Sequence, residues 1–250
     1  FERERPQRQV TVSPFALDRT EVSNGDFAAW LDRQGDLTVE QERLVRQGGV
    51  LLVDLYARYG GGLLYDQGGR FSPRPGVERK PVVQVSWQGA RRYCAALGKR
   101  LPTEAEWELA ARGPEGRRFP WGDGEPGCEG VVFGRRREFA CGRLGPWPAE
   151  VGRSPQDRTP LGVLDLGGNV AEWVEDSFRP RYPACAAPCR DPLVQDEPAP
   201  DGSDLRVVRG GAWAREAEAS RAAGRMRWPG NKVTSDIGFR CAASAPEAHP

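Results

Sequence analysis

"GKRLPTEAEWELAARG" occupies residues 98–113 and is the clearest piece of regular structure in the chain. Thr103 with Glu106 three positions later is a capping box, and Gly113 is a C-terminal stop, so the stretch reads as a helix. A second helix precedes it in "WQGARRYCAALG" (87–98), capped by Ser86, with Gly98 beyond its end. "KPVVQVSW" (80–87) reads as a strand running into that helix. Further upstream, "SNGDFAAWLDRQG" (23–35) is a third helical segment, with Ser23 as N-cap and Gly35 as stop. "RQVTVSPFALDRTEVS" (8–23) reads as one or two short strands.

Residues 36–79 read as an elaboration. They are expected to hold an acidic-basic helix near 39–47, then a Gly-rich, hairpin-like piece, "LYARYGGGLLYDQGGRFSPRPG" (55–76). Downstream, 114–204 shows little periodicity but many Gly, Pro, Trp and Cys. So long an irregular stretch is rare in a compact domain unless something staples it, and the cysteines and a metal are the candidate staples. "LRVVRGGAW" (205–213) and "IGFRCAA" (237–243) close the chain as strands. With no internal repeat and no linker, residues 1–250 are assigned to one α+β domain.

Composition narrows the function classes. A net charge of +1 gives no global bias toward nucleic acid or anionic lipid. The basic run "GRRREFACGR" (134–143) is short and reads as solvated surface. No apolar run approaches the ~18 residues of a membrane span. No signal-peptide pattern is visible, but the chain begins at Phe1, so a processed end or an excised piece of a longer chain is expected. The single histidine, His249, nearly excludes Ser-His-Asp or Cys-His catalysis and His-based transition-metal sites. Six cysteines without a CxxC pair favour three disulfides in an oxidising, extracytoplasmic compartment (periplasmic, cell-surface or secreted) over buried thiols.

Four stretches in order, "GKRLPTEAEWELAARG", "FPWGD", "GNVAEWVED" and "RVVRGGAW…IGFRCA", resemble the formylglycine-generating enzyme, or sulfatase-modifying-factor, family. The likeness extends to "FALDRTEVSNGDFAAWL" and so to nearly the whole chain. It implies a C-type lectin-like fold: a twisted, largely antiparallel sheet, two main helices and long irregular loops. It also implies a Cys94–Cys241 disulfide closing a loop of about 147 residues, worth at most roughly 5 kcal/mol on the chain-entropy model. Cys128 with Cys141, and Cys185 with Cys189, then pair by proximity, contributing about 3 and 2 kcal/mol on the same model.

The family's oxidase uses two thiols, in the segment after "RGG", to bind copper and activate oxygen. The first thiol's position is Arg215 here, and no cysteine lies between Cys189 and Cys241. Cu(I) needs soft sulfur ligands, so copper-dependent formylglycine formation is not expected. The leading expectation is a noncatalytic sensor or adaptor domain of a larger signalling protein, binding a protein or small molecule, with neither nucleic-acid binding nor membrane insertion by this segment. A divergent family enzyme is the alternative, and a retroelement-diversified ligand-binding protein is the third reading. The segment "WAREAEASRAAGRMRWPGN" (213–231) takes the place of the family's active-site floor. Trp213, Arg215, Arg221, Arg225, Arg227, Trp228 and Asn231 are its candidate ligand-binding residues, because binding hot spots favour aromatics and arginine.

In "DLGGNVAEWVED" (165–176) the resemblance implies a structural calcium ion. Its ligands would be the Asp165 and Glu172 side chains and the Gly168 and Val170 carbonyls, with water completing the shell. Glu175 and Asp176 fall outside these positions and are expected on the surface. A second family calcium site finds no clear acidic match around "CEGVVFG" (128–134).

Overall fold

The structure is a computed structural model and describes residues 2–56, 61–185, 189–196 and 204–245. The elements, in chain order, are strands β1 (Val10–Thr11) and β2 (Phe15–Leu17), then helix α1 (Asn24–Leu31). Strands β3 (Leu37–Glu40), β4 (Leu44–Gln47), β5 (Val50–Asp54), β6 (Leu63–Tyr65) and β7 (Phe71–Pro73) follow. Helices α2 (Trp87–Ala96) and α3 (Glu104–Arg112) precede β8 (Ala171–Ser177), β9 (Cys189–Arg190) and β10 (Leu205–Arg209). Strands β11 (Arg225–Pro229), β12 (Ile237–Gly238) and β13 (Ala242–Ser244) close the described chain. His249 lies outside the described residues, as do residues 57–60 of the Gly-rich piece.

The helices start where their caps place them. Ser23, Ser86 and Thr103 are the N-caps of α1, α2 and α3, and the Thr103–Glu106 capping box is complete. The fold centres on a four-stranded sheet in the order β11-β10-β8-β12, antiparallel except where β12 runs parallel to β8. Every residue of β8 is buried, so this strand is covered on both faces. Glu175 and Asp176 are therefore not on the surface, as the sequence reading had them, but 7% and 2% exposed. Asp176 accepts hydrogen bonds from the backbone N–H of Glu104, at the start of α3, and of Val194. Glu175 accepts one from Arg91 of α2 at 3.1 Å.

Two other expectations are corrected. Residues 39–47 form no helix; β3, β4 and β5 make an antiparallel meander. Gln41 and Glu42 (φ 52° and 58°), then Gly48 and Gly49 (φ 57° and 78°), are consecutive left-handed pairs that turn the chain tightly between strands. Burial alternates along β3 as a half-covered strand requires. The second correction is at 80–87, which joins no ladder. Its backbone instead bonds successively to different partners: Lys80 to Asn24, Val82 to Val22, Gln84 to Asp54 and Thr234, and Ser86 to Leu52. A left-handed Gln84 (φ 59°) interrupts the pleat midway. The hairpin-like piece is present as β6 paired with β7.

All three disulfides join the expected pairs, Cys94–Cys241, Cys128–Cys141 and Cys185–Cys189. The first lies within the main core, beside Phe27, Trp30, Tyr93 and Phe239. A second core packs Trp107 of α3 on Leu166, Val174 and Val207, and a third holds Trp213 with Val83, Val132 and Val170. Among the described residues no helix is long and apolar enough to cross a membrane.

Candidate functional site

The loop entering β8 is held from several sides. Gly210 and Gly211 of "RGG" lie against its backbone: a Cβ on Gly211 would sit 2.2 Å from the Gly167 carbonyl oxygen, and one on Gly210 2.7 Å from that of Leu166. Gly168 is equally confined, its missing Cβ 2.7 Å from the Val132 carbonyl oxygen. Only glycine permits these approaches. The Trp213 N–H donates to the Asn169 carbonyl at 2.9 Å, so the acid-bearing loop and the 213–231 floor form one unit.

Four carboxylates meet beneath this loop: Glu21, Asp157, Asp165 and Glu172, each at most 3% exposed. Arg240, fully buried, is their cation. Its guanidinium donates to both oxygens of Glu172 (2.7–2.9 Å) and to the carbonyls of Asp18, Arg19 and Leu164. Trp107 Nε1 adds a fourth contact to Glu172 at 2.8 Å. Asp157 accepts the Gly167 N–H, and Asn169 Nδ2 donates to Glu21. The acids outnumber the guanidinium, and burial together with their mutual repulsion raises the pKa of two of them. Burial, then repulsion by Asp165, pushes the Asp157 carboxyl up to about 8. The same two causes hold Glu21 well above the usual carboxylate range.

A calcium ion, which the family resemblance implies at this loop, needs oxygen donors free to coordinate it. Asp165 Oδ2 accepts the Gly152 N–H, whereas Asp165 Oδ1 is buried with no hydrogen-bond partner, as is Glu21 Oε2. A partner-free carboxylate oxygen within an excess of negative charge suits a hard cation. Glu172 is already engaged by Arg240 and Trp107, yet each carboxylate oxygen has a further lone pair. Among the described residues no three acidic, His or Cys side chains converge as a metal cage, so an ion here would draw on backbone carbonyls for most of its shell. Sequence reasoning missed Glu21, Asp157 and Arg240. Glu21 and Arg240 stand inside the quoted motifs, but Asp157 lies in the irregular stretch with no signal to mark it.

The candidate ligand residues of 213–231 do not share one open surface. Trp213 is 6% exposed, packs against Trp147 and donates from Nε1 to the Ser235 carbonyl at 2.8 Å. Arg215 pairs with Asp236 at 2.9 Å and touches Met226 Sδ. Arg225 is 6% exposed, binds both oxygens of Glu104 at 2.6 and 2.8 Å and stacks on Tyr182. Arg221 binds both oxygens of Glu4. Asn231 is partly buried, and Trp228, at 37%, is the exposed aromatic of the group.

Residues 1–245 match the sulfatase-modifying factor enzyme 1-like domain. The chain is 32% identical to the inactive C-alpha-formylglycine-generating enzyme 2 of Mus musculus, covering 97% of this chain and 79% of that protein. It is 32% identical to the formylglycine-generating enzyme of Mycobacterium tuberculosis, covering 97% of this chain and 92% of the relative. It is also 31% identical to the serine/threonine-protein kinase Pkn1 of Chlamydia trachomatis, over 96% of this chain but only 34% of the kinase. Among solved structures, PvdO from Pseudomonas aeruginosa superposes with a TM-score of 0.64 at 25% identity, over 93% of this chain and 81% of PvdO. By this match along nearly its whole length, and by the fold it shares with PvdO, the chain belongs to the sulfatase-modifying-factor, or formylglycine-generating-enzyme, family.

Proposed function

We propose that this chain is a noncatalytic ligand- or protein-binding domain of its family, acting as a sensor or adaptor within a larger signalling protein. One observation carries the reading: all six cysteines are committed to disulfides, so no thiolate remains for Cu(I). At the position that the family resemblance gives to the first copper thiol the chain carries Arg215, whose guanidinium pairs with Asp236. The mouse relative named as inactive and the kinase containing such a domain support the same reading. The three disulfides indicate an oxidising, extracytoplasmic setting. The test is anaerobic Cu(I) titration together with incubation of the protein with a cysteine-containing sulfatase peptide under oxygen. Neither a one-to-one copper complex nor formylglycine is expected, and either product would overturn the reading.

We further infer that the loop entering β8 holds a structural calcium ion through Asp165, the Gly168 and Val170 carbonyls, and Glu172. The buried, partner-free Asp165 Oδ1 supports it.

A further inference from the structure

The first residues of the described chain lie against the floor that the sequence singles out for ligand binding. Glu4 receives both terminal nitrogens of Arg221, at 2.8 and 2.6 Å. The carbonyl of Arg3 accepts from Arg225 Nη1 at 2.7 Å, and that of Arg5 from the Tyr182 N–H at 3.2 Å. Two basic side chains of the segment sit over aromatic rings, Arg3 over Phe178 and Arg8 over Tyr182. Arg8 also donates to the Pro183 carbonyl at 2.6 Å.

These contacts are of a particular kind. They use a carboxylate, backbone carbonyls and guanidinium–ring stacking, and among residues 2–8 the apolar side chain, Pro6, is exposed. The short helical turn Glu2–Glu4 contains no buried residue. The receiving groups, by contrast, are anchored elsewhere in the fold, Tyr182 through its hydroxyl to Glu104 and Glu108. Arg225 is fixed by Glu104, and Phe178 is part of the second core. A preformed face is thus covered by a segment held through exchangeable polar contacts. A separate peptide offering the same groups would make the same contacts, in competition with the tethered segment.

We propose that Arg221, Arg225, Phe178 and Tyr182 form a peptide-recognition face that residues 2–8 occupy in cis. Its partner is a protein segment carrying a carboxylate for Arg221 and, four residues on, an arginine for the Tyr182 ring. The inference rests on the reading of the chain as a binding module, and gives that module a site and a ligand chemistry. The covering segment lowers the apparent affinity for a partner by the fraction of time it leaves the face open.

The test uses a fluorescently labelled synthetic peptide with the sequence of residues 2–8 (ERERPQR), titrated into the full chain by anisotropy. In Glu4→Arg the segment meets Arg221 with like charge and leaves the face. This variant is expected to bind the peptide on the order of tenfold more tightly than wild type. Adding Arg221→Ala or Arg221→Lys should remove the gain, and so should a peptide with Gln in place of its second Glu. Thermal melts of each variant separate lost binding from lost folding, and Arg221→Lys retains the charge while losing the two-pronged geometry. Equal binding by wild type and Glu4→Arg, no binding by Glu4→Arg, or binding indifferent to Arg221 would each overturn the proposal. Formylglycine formation in the assay above would remove the binding-module reading and this inference with it. A failed titration alongside an inactive oxidase assay removes this inference alone.

Discussion

Arg240 and Glu172 show how much rests on single side chains here. The pair is wholly buried, and the guanidinium is satisfied on every side. Replacing Arg240 with Met strands Glu172 among three other acids. Chemical denaturation should show a loss of about 3–5 kcal/mol, the usual cost of leaving a buried charge alone. Calcium would act on the same cluster. With the ion at a hundred times its dissociation constant, and binding only the folded state, about 2.7 kcal/mol of stability is expected. Melting temperatures with calcium and with chelator should therefore differ in wild type and coincide in Asp165→Ala; coincidence in wild type as well would leave the loop without an ion. Asp176 is a third case. Burial, then repulsion from Glu104, raises its carboxyl to about 7, although two backbone N–H groups pull the other way. In the folded state it keeps a proton that the unfolded chain releases near pH 4. Its contribution to stability is therefore full below about pH 4 and declines as pH rises toward 7. Asp176→Asn should flatten the melting temperature between pH 5 and 7, and an unchanged slope would assign the dependence to other groups.

At the scale of elements, the three capped helices and the strands within 8–23, 205–213 and 237–243 were legible, whereas 39–47 and 80–87 were not. Each helix carries its own start signal, a hydroxyl N-cap whose hydrogen bond is local. Thr103→Ala should cost about 1 kcal/mol by removing the bond to the Glu106 N–H, and Glu106→Ala should cost no less, since Glu106 also pairs with Arg100. Residues 37–54 misled because alternating charges suit a helix surface as well as a strand edge. The deciding feature is the left-handed pair Gln41–Glu42, a conformation that neither residue type advertises. A Gln41→Asn, Glu42→Gly double variant supplies residues suited to that turn and should raise stability by up to about 1 kcal/mol in the same denaturation assay.

At the scale of the whole molecule, few long ladders tie the chain together. The four-stranded sheet is the largest, and the remaining strands pair in twos and threes. Crosslinks carry a correspondingly large share. Cys94–Cys241 spans 147 residues, and its removal in a Cys94→Ala, Cys241→Ala variant should cost up to about 5 kcal/mol. Cys185–Cys189 closes a loop only four residues apart, and its double variant should shift the denaturation midpoint far less.

The sequence by itself determined the helix starts and the motifs that mark the family, and the family resemblance implied the Cys94–Cys241 pairing and a copper-thiol position at which this chain carries Arg215. Caps and motifs are written in residue identity and spacing. Only the tertiary structure decided what the acids after Asp165 do, because burial is not local information. Glu175 and Asp176 look like surface charges in a linear string and become buried only when α2, α3 and the segment at Val194 pack against β8. The arginines of 213–231 look like a free binding surface and acquire partners only when Glu4, Glu104 and Asp236, distant in sequence or across a turn, are folded against them. A charge can be read from its letter, but whether it is solvated, paired or covered is set by the segments that pack around it.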